Sequence, residues 1–172
     1  MINFLIFFSS RRIHGAAFLF CSFLLCASLY FQFIEHLVPC PLCILQRIAV
    51  FLLALLSLIA FLHRPPLYGL RIYSVIGLII SFLGAGVAGR QTWLQFTAHL
   101  HTQTSACGAS LSYMLSHFAF NQTLKLLLEG SGNCAEVPWR FLGLSMAAWM
   151  LIIFIGLAIA YLYAACNTKK DL

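Results

Sequence analysis

Four long apolar runs constrain this chain more than any other feature of its sequence. None of them contains an acidic residue, and they cover about 15–34, 44–62, 71–89 and 144–165. Each is close to the roughly 20 helical residues that cross a hydrocarbon core about 30 Å thick. Only 8% of the residues are charged, whereas a soluble globular protein has about 25%. The sequence therefore predicts an all-α membrane protein, a four-transmembrane-helix bundle embedded in a lipid bilayer.

The basic residues predict how this bundle is oriented. If the four runs cross the membrane in turn, the short basic segments all fall on one side, and they are Arg11, Arg12, Arg64, Arg71, Lys169 and Lys170. Short loops rich in arginine and lysine stay in the cytoplasm, so we expect both termini to be cytoplasmic. The net charge of +6 then reflects topology, and we expect no nucleic-acid partner.

Two outer loops, at about 35–43 and 90–143, then receive four of the seven cysteines. Cys40 and Cys43 lie in the short loop, and Cys107 and Cys134 lie in the long one. Disulfides form and persist outside the cytoplasm. Apolar residues recur at helical spacing in the long loop, which predicts a short interfacial helix there. We expect residues 1–172 to form a single integral membrane domain.

The Cys40-Pro41-Leu42-Cys43 stretch opens the second apolar run. Proline is favoured at the first position of a helix, which predicts that Cys40 caps this helix and that Cys43 lies in its first turn. The positive end of the helix favours a thiolate. Arg47 lies four residues beyond Cys43 and therefore adds a positive charge on the same helical face.

A CxxC pair alone fits a zinc site, an inert disulfide or a redox centre. Cys107 and Cys134 are separated by 26 residues and form no second CxxC, so a zinc-ribbon pattern fails and we expect no metal. A Cys107–Cys134 disulfide would stabilise the fold by roughly 3–4 kcal/mol, so a noncatalytic membrane scaffold braced by two disulfides is one alternative. A redox relay also accounts for Arg47, because a cation within a membrane is costly and is usually functional or snorkelling.

The chain resembles the DsbB family of disulfide bond formation proteins through three motifs. They are CPLCILQR at 40–47, GRQTWLQ at 89–95 and GSGNCAEVPWRFLGLSMAAW at 130–149. The resemblance covers nearly the whole chain. It implies a multi-pass, quinone-dependent thiol:disulfide oxidoreductase of the bacterial inner membrane, in a system that keeps the periplasm oxidising. Its partner would be a periplasmic DsbA-like thiol oxidase, and its acceptor ubiquinone or menaquinone.

The resemblance also implies a role for each of the four outer cysteines. Cys107 would be attacked by the partner's thiolate, and Cys134 would then exchange with Cys40. Cys43 would be the thiolate that contacts the quinone, with Arg47 beside it. The resemblance leaves a role for Gln91 open. A vitamin K epoxide reductase-like oxidoreductase of similar four-helix layout is the enzymatic alternative.

Overall fold

The computed structural model describes residues 10–34, 40–63, 65–100, 140–141 and 143–167. Four helices lie within these residues: α1 (Ser10–Phe33), α2 (Pro41–His63), α3 (Leu67–Leu100) and α4 (Met146–Asn167). Each is long and apolar enough to cross a membrane, which confirms the predicted all-α, four-helix membrane protein. The predicted interfacial helix, Cys107 and Cys134 lie outside the described residues.

A two-stranded hairpin leads into α4. Strand β1 (Arg140–Phe141) pairs antiparallel with β2 (Leu144–Ser145). Gly143 in the connection has a φ of 80°, a left-handed conformation that glycine adopts without steric cost. Ser145 then caps α4, because its hydroxyl accepts the backbone N–H of Ala148 at 3.3 Å. The helix therefore begins at Met146 and not at the predicted residue 144.

The third helix is longer than predicted. Residues 90–100, which the sequence pattern assigned to the outer loop, are helical and continue α3 to Leu100. Residues 90–100 contain neither proline nor glycine. Within them, the buried side chains of Gln91 and Gln95 face the protein instead of water. Thirty-four residues make a helix about 51 Å long, which exceeds a hydrocarbon core of about 30 Å.

Helices α3 and α4 share the most extensive contact in the bundle. Two glycines of α3 allow it: a Cβ on Gly77 would lie 2.8 Å from the ring of Tyr161, and one on Gly84 would overlap the ring of Phe154. Small residues let helix backbones approach closely. The prediction that α3 uses glycines for helix contact is confirmed at these two positions, whereas Gly86 has nothing within 4 Å of its added Cβ.

A cluster of buried polar side chains joins the helices at one end of the bundle. Each helix contributes one fully buried member, His14, Ser57, Ser74 or Tyr161. His14 Nε2 and Ser74 Oγ are 3.1 Å apart, and Ser57 Oγ and Tyr161 OH are 2.6 Å apart. The Ser74 hydroxyl also donates to the carbonyl of Leu70 at 3.0 Å, so His14 Nε2 is the donor in its bond to Ser74.

This polar cluster defines the alternating direction of the helices. His14 and Ser74 lie near the starts of α1 and α3, whereas Ser57 and Tyr161 lie near the ends of α2 and α4. The chain therefore runs up, down, up and down through the bundle. The cysteine pair at the start of α2 lies at the opposite end from the polar cluster.

Candidate functional site

The site is built on the first turn of α2. The Cys40 carbonyl accepts the backbone N–H of Ile44 at 3.1 Å, and its sulfur accepts the backbone N–H of Cys43 at 3.3 Å. Pro41, which has no N–H to satisfy, occupies the first helical position. Cys40 is therefore the N-terminal cap with Cys43 in the first turn, as the sequence predicts.

The two sulfur atoms of this pair are in direct contact. Cys40 Sγ lies 2.9 Å from Cys43 Sγ and donates to it. This distance is longer than a disulfide bond of about 2.05 Å, so the two sulfurs are not bonded to each other. Cys40 is only 8% exposed and packs with Leu42 against Val87 and Leu94 of α3, whereas Cys43 is half-buried. The pair is thus placed to close and open a disulfide with little movement.

A buried amide from α3 contacts both sulfurs. Gln91 Nε2 donates to Cys43 Sγ at 3.2 Å and to Cys40 Sγ at 3.5 Å. Gln91 Oε1 accepts a hydrogen bond from Gln46 Nε2 at 2.7 Å. Both glutamines are 4% exposed. The cysteine pair therefore has a buried polar neighbour on α3, which is held in turn by a polar side chain of α2.

Arg47 extends toward α1. Its Nη1 donates to Gln32 Oε1, and its Nη2 donates to the carbonyl oxygen of Ser28 at 3.3 Å. Its Nε is buried with no hydrogen-bond partner among the residues that the structure describes. These contacts hold a half-buried cation near the start of α2, and a charge within a membrane-spanning helix is usually kept for function.

Comparison with known proteins matches this architecture to one family. The model of the family "Disulfide bond formation protein DsbB" matches residues 10–164. The chain belongs to the DsbB family. A protein of Methylococcus capsulatus named disulfide bond formation protein B is 46% identical over 94% of this chain and 98% of its own length. A protein of the same name from Nitrosococcus oceani is 41% identical over 93% of this chain and 94% of its own length.

Membership of the DsbB family makes this chain a multi-pass membrane protein of disulfide bond formation, and the family name implies a disulfide oxidoreductase. Within the described residues, the sulfurs of Cys40 and Cys43 are in contact, and this pair is the candidate centre for the family's thiol chemistry. The geometry there suits it, because the two sulfurs touch and have hydrogen-bond donors beside them. The predicted second pair, Cys107 and Cys134, lies outside the described residues.

Sequence reasoning missed the glutamines of this DsbB-family site. Gln46 lies three residues after Cys43, on the same side of α2, and a polar residue in an apolar run needs a partner. That spacing was the available signal for Gln46. The sequence leaves the role of Gln91 open and gives no signal that singles out Gln32. Their partners are contributed by other helices, which the sequence of one helix does not reveal.

Proposed function

We propose that this chain is a quinone-dependent thiol:disulfide oxidoreductase of the bacterial inner membrane, with both termini in the cytoplasm. It oxidises the dithiol of a periplasmic partner, a DsbA-like oxidase of the thioredoxin-like class. It thereby sustains disulfide formation in periplasmic proteins. The observation that carries the proposal is the contacting Cys40–Cys43 pair at the outer end of α2, with Gln91 and Arg47 beside it.

The proposed relay consists of thiol–disulfide exchanges that conserve electrons. The partner's thiolate attacks Cys107 of a Cys107–Cys134 disulfide, and the Cys134 thiolate leaves. Cys134 then attacks Cys40 of a Cys40–Cys43 disulfide, and the Cys43 thiolate leaves. This order follows the family resemblance.

Two further exchanges complete the relay. The partner's second thiolate displaces Cys107 and closes the partner's disulfide. Cys107 then attacks Cys134 in the Cys134–Cys40 bridge and releases Cys40. The Cys107–Cys134 disulfide is restored, and the partner's two electrons now reside on Cys40 and Cys43.

The residues around Cys43 fit a quinone, either ubiquinone or menaquinone. Cys43 is half-buried at the membrane edge. Arg47 Nε is a buried donor that lacks a hydrogen-bond partner in the described part of the chain, and a carbonyl oxygen would satisfy it. A quinone bound there would accept the two electrons and two protons given up when the Cys40–Cys43 disulfide reforms. Arg47 would bind its oxygen, and Cys43 would face its ring.

The test of this function is turnover by the purified full-length protein in lipid nanodiscs. With a reduced thioredoxin-like partner, the protein should reduce a soluble quinone analogue. The loss of quinone absorbance measures this reaction. Cys43→Ser should abolish turnover, because no thiolate then remains to pass on the electrons. Cys26→Ser, a matched change at an exposed cysteine of α1, should leave turnover unchanged.

Normal turnover by Cys43→Ser would overturn this assignment. The scaffold alternative predicts a different labelling result, because its four outer cysteines would stay oxidised whether or not quinone is present. In the proposed enzyme, thiol reagents should label these cysteines when the partner is supplied and quinone is withheld.

A further inference from the structure

We propose that the side-chain amide of Gln91 is a catalytic hydrogen-bond donor to the thiolates of Cys43 and Cys40, and that Gln46 is the positioning residue that orients this amide. The inference rests on the proposed function and deepens it, because it assigns the group that stabilises charge on the sulfurs of Cys40 and Cys43 when either is the leaving thiolate. Neither glutamine contributes a thiol or a net charge, so their contribution is purely that of aligned dipoles.

The first argument is the geometry of the amide. A glutamine Nε2 carries two hydrogens, and the Nε2 of Gln91 lies 3.2 Å from Cys43 Sγ and 3.5 Å from Cys40 Sγ. One hydrogen is therefore available to each sulfur. The same amide can serve Cys43 when it holds the negative charge, and Cys40 when it is the leaving group in exchange with Cys134.

The second argument is the orientation of the amide. Its Oε1 accepts from Gln46 Nε2 at 2.7 Å, which directs the N–H groups of Gln91 at the sulfurs. Rotating the Gln91 amide by half a turn would set two donors against each other at Gln46 and would point an oxygen at the thiolate. As long as Gln46 donates, its bond to Gln91 therefore favours the arrangement that stabilises charge on sulfur.

The third argument is the surroundings. Val87 and Leu94 of α3 pack around the cysteine pair, and both glutamines are almost fully buried. A hydrogen bond to a charged acceptor is stronger than one to a neutral acceptor, and more so in a medium of low polarity. A donor held in place before the reaction also needs no reorganisation when charge develops.

The fourth argument is the difference between the two sulfurs. Cys43 Sγ is the closer of the two to Gln91 Nε2, and it also accepts from Cys40 Sγ at 2.9 Å. The shorter contact with Gln91 therefore favours negative charge on Cys43 over Cys40 in the reduced pair. Arg47 is bound to Gln32 and Ser28 of α1, so the side chain that contacts the sulfurs from α3 is Gln91.

The experiment measures the thiolate directly and needs neither quinone nor partner. Reduced full-length protein in quinone-free nanodiscs is treated with iodoacetamide, and the alkylation rate of Cys43 is followed by peptide mass spectrometry. Gln91→Leu should slow alkylation about tenfold at neutral pH, equivalent to about 1.4 kcal/mol. At a pH where the thiol is fully ionised, the slowing should disappear and the rate should equal or exceed that of the wild type, because a less stabilised thiolate is the stronger nucleophile.

Three companion variants sharpen this result. Gln46→Leu should slow neutral-pH alkylation in the same direction by a smaller factor, because the amide keeps its hydrogens but loses its orientation. Gln91→Glu, which preserves shape, should slow it at least as much as Gln91→Leu, since it sets an oxygen against the sulfur. Gln95→Leu, the matched change one turn further along α3 at similar burial, should have no effect.

The outcomes separate this inference from the proposed function. Wild-type alkylation rates in Gln91→Leu and Gln91→Glu, or equal slowing at both pH values, would overturn the role of Gln91, because a packing defect acts at every pH. Either result leaves quinone-linked turnover to be judged by its own assay. Conversely, a wild-type protein without quinone turnover would refute the proposed function but not the thiolate contact.

Discussion

At the scale of single residues, Arg47 illustrates how a cation is held at a membrane edge. Its guanidinium bonds to a side-chain oxygen of Gln32 and to the main-chain oxygen of Ser28, both on α1. A guanidinium presents several donors in a rigid plane, so fixing two of them determines the direction of the third, Nε. Gln32 therefore helps to set where Arg47 can receive a ligand oxygen.

We expect Gln32→Leu to weaken quinone use by the proposed oxidase. Losing one hydrogen bond of about 0.5–1.5 kcal/mol should raise the KM for quinone by about 2- to 10-fold, with the KM for the reduced partner unchanged. Arg47→Lys should have the larger effect, because an ammonium cannot reproduce the planar contacts. Steady-state kinetics in nanodiscs with each substrate varied in turn would measure this, and a change confined to the partner's KM would contradict it.

The same residues show how far sequence reasoning reached at the site. The cap at Cys40 could be predicted, because Pro41 is a local signal that acts within one turn. The contacts of Gln91 with Gln46 and the cysteines could not, because they join residues 45 to 51 positions apart. A polar side chain in an apolar helix indicates that a partner exists, but finding the partner needs the packing of a second helix.

At the scale of the elements, α3 and α4 also separate what the sequence predicts from what only helix packing reveals. Hydropathy predicted that both helices exist, because burial in lipid demands long apolar runs. It did not reveal that α3 continues as a helix beyond Gly89 to Leu100, because the polar residues there resemble a loop in sequence, and α2 covers Gln91 only in the folded bundle. Composition also indicated glycine-mediated contact without distinguishing Gly84, which faces Phe154, from Gly86, which faces no neighbour within 4 Å.

We expect Gly84→Ala to destabilise the bundle. The new methyl group would overlap the ring of Phe154, and overpacking of this kind costs about 1–3 kcal/mol. Gly86→Ala, the same change two residues away with open space around it, should be neutral or slightly stabilising, because alanine favours a helix. Titration of the protein in mild detergent with SDS, with tryptophan fluorescence as the readout, would compare the unfolding free energies of the two variants. Equal stability would refute the close approach of α3 and α4 at Gly84.

At the scale of the whole molecule, the two ends of the bundle differ in chemistry. One end is joined by the hydroxyl and imidazole groups of His14, Ser57, Ser74 and Tyr161, one from each helix. At the other end, α2 carries the cysteine pair and is joined to α3 through Gln91 and to α1 through Arg47. The basic residues predict that the first end is cytoplasmic.

We expect the exposed Cys166, at the end of α4 beside the polar cluster, to be labelled only from the cytoplasm. A charged, membrane-impermeant maleimide should modify it in inside-out vesicles and not in intact spheroplasts, with peptide mass spectrometry as the readout. Cys166→Ser should remove that signal alone. Labelling of Cys166 in spheroplasts would reverse the predicted orientation of the whole bundle.

The contact between the Cys40 and Cys43 sulfurs has a consequence for what must move when such a centre cycles. The two atoms are 2.9 Å apart, and a disulfide holds them at about 2.05 Å. A rotation of two side chains covers that difference, and no helix has to slide or tilt. When an exchanging thiol or an electron acceptor reacts with the centre, the accompanying change of geometry is therefore confined to these two side chains, and the packing of the bundle around them can stay as it is.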